Sequence, residues 1–227
     1  MRLSAQLREH GIVLLGSTIL GLDHHTPENL VSEIEHAVAH ETDLHQFMLY
    51  TPMPGTQLYR DMQQQGRLLD VELADIHGQD AFNFRHRAIS REESRRFLGW
   101  AFQRDFERNG PSLFRICRTT FAGWKRYKNH PNPRVRERFR REARMLRHAY
   151  PASLWAMERR LTDREMAGRV RTLRMELQRE FGVVAWLASR ALGPVLWWTS
   201  WREERRSPEA KRYDPAMIIG RKNWGGI

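Results

Sequence analysis

Along the first seventy residues the hydrophobic pattern alternates between two periods. Residues 1–10 place Leu3 and Leu7 four apart on one helical face, and Gly11 stops the helix. Residues 12–20, IVLLGSTIL, are rich in β-formers and almost continuously apolar or small. Such a run predicts a strand buried on both faces, as in a parallel sheet. Thr26-Pro27-Glu28 predicts a helix start: a capping hydroxyl, a proline suited to the first helical position and an acid that complements the dipole. Leu30, Ile34, Ala37 and Val38 then share a stripe to about His40. Residues 44–51, LHQFMLYT, predict a second strand. PMPGT breaks the chain, and a short helix over 56–65 ends at Gly66. Helix, strand, helix, strand, helix is the alternation of a parallel sheet or an α/β barrel, entered here in mid-pattern.

Beyond residue 70 the pattern changes. Residues 70–89 hold no steady period, although HGQDAFNFRHRAIS allows a short strand. Ser90 and Glu93 form a capping box that opens a helix over 91–108. Helical periodicity predicts further helices over 112–128, 133–148, 151–160 and 163–180, with HPNP at 130–133 as a turn. Residues 183–201, VVAWLASRALGPVLWWTSW, are the one long apolar run, but Arg190 and a Gly193-Pro194 break make it a poor membrane-spanning helix. The expected organisation is an α/β part over 1–89, a mostly α-helical extension over 90–180, and an apolar, Trp-rich segment with its tail over 181–227.

Charge follows the same division. Residues 1–84 carry 4 Lys+Arg against 12 Asp+Glu, a net −8, whereas residues 85–179 carry 26 against 10, a net +16. A reversal of that size marks two regions under different constraints. The single cysteine, Cys117, excludes an internal disulfide and any metal site built from several cysteines of this chain. It fits a reducing cytoplasm. MRLSAQLREHG lacks the apolar core of a signal peptide.

Familiar catalytic motifs are missing: the chain holds no HExxH, no Walker loop and no GxSxG. His24 and His25 are adjacent, so their side chains diverge. His36 and His40 have a workable metal spacing on a helix but no third ligand, which leaves surface histidines as the simpler reading. The stretch GSTILGLDHHTPENL, residues 16–30, is more informative. It places residues 21–26 at the carboxyl end of a strand, the edge where α/β sheets bind ligands. The plainer alternative is a strand-to-helix loop that needs small residues.

The order of several motifs resembles the carboxyl-terminal half of the radical SAM barrel, in the group whose members carry an amino-terminal cobalamin-binding domain. The matching residues are Ile19 to Leu22 (ILGL), Thr26 to Glu28 (TPE), Phe47, Thr51 to Thr56 (TPMPGT), Leu58-Tyr59 and Gly66-Arg67. AISREESRRFLGWAFQRDF resembles the MSxEEL helix that follows the barrel in that group. The resemblance covers about residues 1–100. It implies a fold, the last strands of a partial (β/α) barrel followed by helices. It also implies cofactors for the whole protein: S-adenosylmethionine (SAM), a 4Fe-4S cluster, and cobalamin as a further cofactor. By the same resemblance, Ile19 and Gly21 match the I-x-G part of a SAM-contacting GxIxG segment. Thr18, Ile19, Gly21 and Thr51 would then line the SAM pocket. Ser17 stands where that pattern has its first glycine, with Gly16 one place off. The cluster-binding CxxxCxxC and the cobalamin-domain DxHxxG are both absent. The expected partner is therefore an amino-terminal half, or a separate chain, that carries the cluster.

A second reading comes from the basic helices. Residues 134–147, RVRERFRREARMLR, carry dense arginine around the stripe Val135, Phe139, Ala143 and Leu146. This suits either a solvated helix packed on the α/β part or a phosphate-binding face. Trp186, Trp197, Trp198 and Trp201 lie in the apolar run beside arginines, as at a membrane interface, although a buried terminal helix reads the same way. The alternative function is therefore a basic helical module on an anionic membrane surface, with nucleic acid the less favoured partner.

Overall fold

The computed structural model describes residues 1–206; the tail expected beyond them lies outside the described residues. In chain order the elements are α1 (Arg2–Glu9), β1 (Leu15–Leu20), α2 (Pro27–Val38), β2 (Leu44–Leu49), α3 (Gln57–Gln64), α4 (Arg91–Asn109), α5 (Ser112–Tyr127), α6 (Pro133–Arg147), α7 (Ala149–Glu158), α8 (Arg164–Phe181) and α9 (Val183–Arg206). The helix starts form as the local chemistry requires. The Thr26 hydroxyl accepts from the Asn29 amide while the Asn29 side chain accepts from the Thr26 amide, and Ser90 and Glu93 do the same for α4.

The partial barrel is not what forms. Among the described residues the fold is mainly helical, with two parallel strands in an open sheet in which Leu15 to Leu20 pair with Leu44 to Leu49. Closure needs a neighbouring strand on both edges of every strand, and among the described residues neither outer edge here has one. The outer edge of β2 is sealed by a loop: the Leu49 amide donates to the Gly78 carbonyl at 2.8 Å, and Gln79 Nε2 donates to the Phe47 carbonyl at 2.9 Å. The expected strand around 77–90 is absent, reduced to a single antiparallel bridge between Leu68 and Phe84.

The expectation of a strand buried on both faces also fails. Leu20, Phe47 and Leu49 face α2 and α4 and are buried, whereas Leu15 and Ile19 on the other face are 66% and 51% exposed. Among the described residues only the loop at Gly78 reaches that second face, at Met48. The apolar run predicted its own burial, but the covering layer is not supplied by these residues.

Packing divides the chain later than charge does. A first core runs from Leu20 through Phe47, Phe82 and Phe84 to Leu98 and Ala101 of α4. A second core gathers Phe114, Cys117, Phe121, Phe139, Leu146, Val170 and Leu177 from α5, α6 and α8. α4 thus packs with the sheet although it lies beyond the charge division, itself carrying five arginines against four acids. The junction is tight: a Cβ on Gly11 would sit 2.5 Å from the Gly123 Cα, so α5 meets the α1–β1 turn backbone to backbone. The expected break at Gly193-Pro194 does not occur either. α9 continues through it, because Pro194 lies on an exposed face while Gly193 lets the Trp155 ring approach.

Candidate cofactor-facing site

The carboxyl ends of the two strands lie side by side, since the Tyr50 amide donates to the Leu20 carbonyl at 2.7 Å. Gly21 and Thr51, each just beyond its strand, are therefore neighbours across the sheet. Gly21 turns the chain with φ +80°, and its missing side chain makes room for the Phe82 ring, which a Cβ would meet at 2.1 Å.

The four residues expected to line a SAM pocket separate into two kinds. Ile19 presents its side chain on the open face of the sheet. Thr18 points to the opposite face, where its hydroxyl is hydrogen-bonded to His45 Nε2 at 2.8 Å. The Thr51 hydroxyl donates to the Leu49 carbonyl at 2.8 Å, and Gly21 is covered by Phe82. Only Ile19 of the four leaves a side chain open to a ligand. Gly21 and Thr51 contribute position rather than side-chain chemistry.

Backbone geometry gives Ile19 a second kind of exposure. The bonds from Leu44 and Tyr50 to the Leu14 and Leu20 carbonyls set a parallel ladder in which the even-numbered residues of β1 face β2. The amides and carbonyls of Leu15, Ser17 and Ile19 therefore point to the other edge. Among the described residues no strand pairs there.

His25 is the residue that the sequence undervalued. It is buried, and its Nδ1 accepts hydrogen bonds from the Gly21 and Leu22 amides at 2.9 and 3.1 Å. Burial, and then the neighbouring His24 and His86, hold its pKa below the ordinary histidine value. A neutral ring with the proton on Nε2 suits that role, so His25 fixes the turn after β1 rather than a ligand. His86 bonds the Leu22 carbonyl from the far side of the same turn, and Arg67 pairs with Asp23 at 3.0 Å. A histidine four residues after a glycine that needs positive φ was the available signal. Asn83, whose Nδ2 donates to the Pro52 carbonyl, keeps its Oδ1 buried without a partner.

The side chains here do not hold an iron–sulfur cluster. Cys117 lies in the second core, and burial pushes its thiol far above the ordinary range, which makes it a packing residue. Among the described residues no group of three or more His, Cys, Asp or Glu could hold a metal ion. His36 and His40 stack edge to face at 5.2 Å, with no third ligand. No family model matches the chain, no curated protein matches it, and no solved structure matches it.

Proposed function

We propose that the chain is the carboxyl-terminal segment of a radical SAM protein of the cobalamin-binding-domain type. In this reading another stretch of polypeptide carries the 4Fe-4S cluster and any cobalamin. This segment contributes the strand ends that lie beside SAM. One observation carries the proposal beyond the motifs. The residue that matches the SAM-contacting isoleucine, Ile19, sits on an exposed apolar sheet face whose adjacent edge has no strand among the described residues. Parallel sheets are normally covered on both faces and protected at their edges. The uncovered side of β1 is the side on which a bound cofactor would lie.

The reading carries a location as well: cytoplasmic, where a reduced cluster survives, with any membrane attachment peripheral. No described helix is long and apolar enough to cross a membrane.

The test begins with the DNA upstream of the Met1 codon. It is expected to encode CxxxCxxC, in phase or one frameshift away. The joined polypeptide, reconstituted with iron and sulfide and reduced, is expected to cleave SAM to 5′-deoxyadenosine. Ile19→Asp should lower that yield by at least about tenfold, since a carboxylate would replace apolar contact with the adenine. A joined polypeptide that binds no cluster would overturn the reading, as would the absence of CxxxCxxC both upstream in every frame and in a separate chain encoded beside this one.

A further inference from the structure

Over residues 183–198 α9 is apolar on most sides, Arg190 apart, yet only one side of it is covered. Ala185, Ala188, Ser189 and Gly193 face the body of the protein. The Ser189 hydroxyl reaches the Pro151 carbonyl of α7, and Trp155 closes on Gly193. On the opposite side Val184, Leu187, Ala191, Val195 and Trp198 are exposed. Their spacing of three and four makes one continuous stripe, about 21 Å long at 1.5 Å per residue. Val195, the fourth of the five, is 55% exposed. Single exposed apolar residues need no explanation, but a contiguous stripe marks an interaction surface.

What stands beside the stripe selects the partner. α7, α8 and α9 enclose a cleft of about 400 Å3 lined by Trp155, Glu158, Arg159, Arg171, Arg174 and Arg190. Four guanidinium groups share one carboxylate, and that carboxylate is already committed to Arg174 at 2.8 Å. Arg159 lies flat over Trp155 at 3.6 Å, and Arg190 lies over Trp186 at 5.4 Å. Burial, and then repulsion from Arg174, Arg190 and Arg171, holds the Arg159 pKa below its ordinary value against the pull of Glu158. A cleft of this kind has surplus positive charge and the planar donors that suit phosphate oxygens. Farther along α9, Arg202 and Arg205 stack on Trp198 and Trp201. Tryptophan paired with arginine along the edge of an apolar stripe is the arrangement of a helix lying in a membrane interface.

We propose that α9 lies in the plane of an anionic membrane, its apolar stripe at the acyl boundary, and that the α7–α8–α9 arginine cleft holds a lipid phosphate headgroup. RNA would use the arginines and tryptophans but not a row of valine and leucine, which offers bases nothing to stack on. A second copy docked through the stripe would add the same arginines without a counter-charge. This inference rests on α9 and its cleft, not on β1, so it stands or falls separately from the radical SAM reading.

The test is flotation of the full-length chain with vesicles of phosphatidylcholine alone or enriched in phosphatidylglycerol. Flotation is expected on the anionic vesicles, weakening with salt, together with a blue shift of tryptophan emission and quenching by brominated acyl chains. Val195→Glu should weaken binding by at least about tenfold, because it places a charge at the acyl boundary. Arg171→Gln and Arg190→Gln should each weaken binding by about fivefold. All three side chains are exposed, so circular dichroism should show unchanged helix content. Four results would overturn the proposal: no flotation; equal flotation on neutral vesicles with no effect of the arginine variants; binding of inorganic phosphate or RNA without vesicle binding; or a concentration-dependent dimer that buries Trp198.

Discussion

The two cores of this chain are incomplete in different ways. The first, built on β1, β2, α2 and α4, buries one sheet face thoroughly and leaves the other largely bare, with an unpaired strand edge beside it. The second, built on α5 to α8, closes around its own aromatic and aliphatic residues. Its loose end is α9, whose outer side is apolar and rimmed by arginine. The two open surfaces differ in their chemistry. An exposed backbone edge with Leu15 and Ile19 calls for a strand, whose amides and carbonyls would satisfy those of β1. A helix has no ladder of free backbone groups to pair with a strand, and α9 instead presents valine, leucine and tryptophan beside arginine.

The difference extends to how the cores meet, which is through buried polar groups rather than shared apolar packing. Arg115 of α5 reaches into the first region, donating to the Thr42 carbonyl and pairing with both carboxylate oxygens of Asp105 at 2.8–2.9 Å. The two side chains are 3% and 7% exposed. Thr119 adds a 2.6 Å hydrogen bond to Asp43, which also accepts from the Leu14 amide. The largest effect is therefore expected at Arg115. Arg115→Met keeps much of the length and strands a buried carboxylate, a loss of about 3–5 kcal/mol. Urea unfolding should show that loss, with the two cores beginning to separate into two transitions. Adding Asp105→Asn should recover part of it, since the stranded charge is then gone. A loss below about 1 kcal/mol would mean that the junction is held by packing after all.

A smaller effect is expected where the same junction is made by backbone. A Cβ at Gly123 would lie 2.7 Å from the Gly11 Cα, and backbone cannot swing aside as a flexible side chain can. Gly123→Ala should cost about 1–3 kcal/mol through overpacking. Gly66→Ala is the comparison within the first region. Gly66 has φ +63° but no neighbour within 4 Å, so only the backbone penalty of about 1 kcal/mol applies. No loss at Gly123, or the gain that alanine brings to a helix interior, would show that the cores do not press on each other there.

The sequence showed the elements more clearly than their cover. The helix starts at Thr26 and Ser90, the stripe from Leu30 to Val38 and the positions of α4 to α8 were legible, because caps and periodicity are local. The open face of β1 was not. IVLLGSTIL is what a doubly buried strand looks like, and burial depends on a layer this stretch does not contain. The Gly193-Pro194 break misled for a related reason: the cost of an interior proline is local, but the packing of α9 on α7 that offsets it is not. Of the candidate site, the strand end at Gly21 and the helix start at Thr26 were legible, whereas the exposure of Ile19 was not, since the run around it reads as buried. That Thr18 and Thr51 spend their hydroxyls on His45 and the Leu49 carbonyl could be read only in three dimensions. The arginine cleft was hidden for the same reason, since Arg159, Arg171 and Arg190 meet only when three helices pack.

The last prediction vanishes at neutral pH and grows on acidification. His25 and His45 both belong to the first region, and both have pKa values lowered from the ordinary 6.5. For His25 the cause is burial, followed by the charges of His24 and His86. For His45 it is burial, reinforced by Arg115 and His40 and opposed by Asp105. His25 must stay neutral to accept from Gly21 and Leu22, and His45 lies stacked on Phe47 at 4.0 Å between two threonine hydroxyls. Because each folded value lies below the unfolded one, the unfolded chain binds more protons once the pH drops below about 6.5. Their contribution is complete above that pH and is lost as the pH falls toward the folded values. The melting temperature should hold from pH 7.5 to 6.5 and decline by pH 5.5. His25→Gln should flatten part of the decline. Amide exchange should place the acid loss in β1 and the turn after it before α8. Decline without faster exchange in β1 would assign the acid sensitivity to the helical core and reverse the contrast drawn between the two regions.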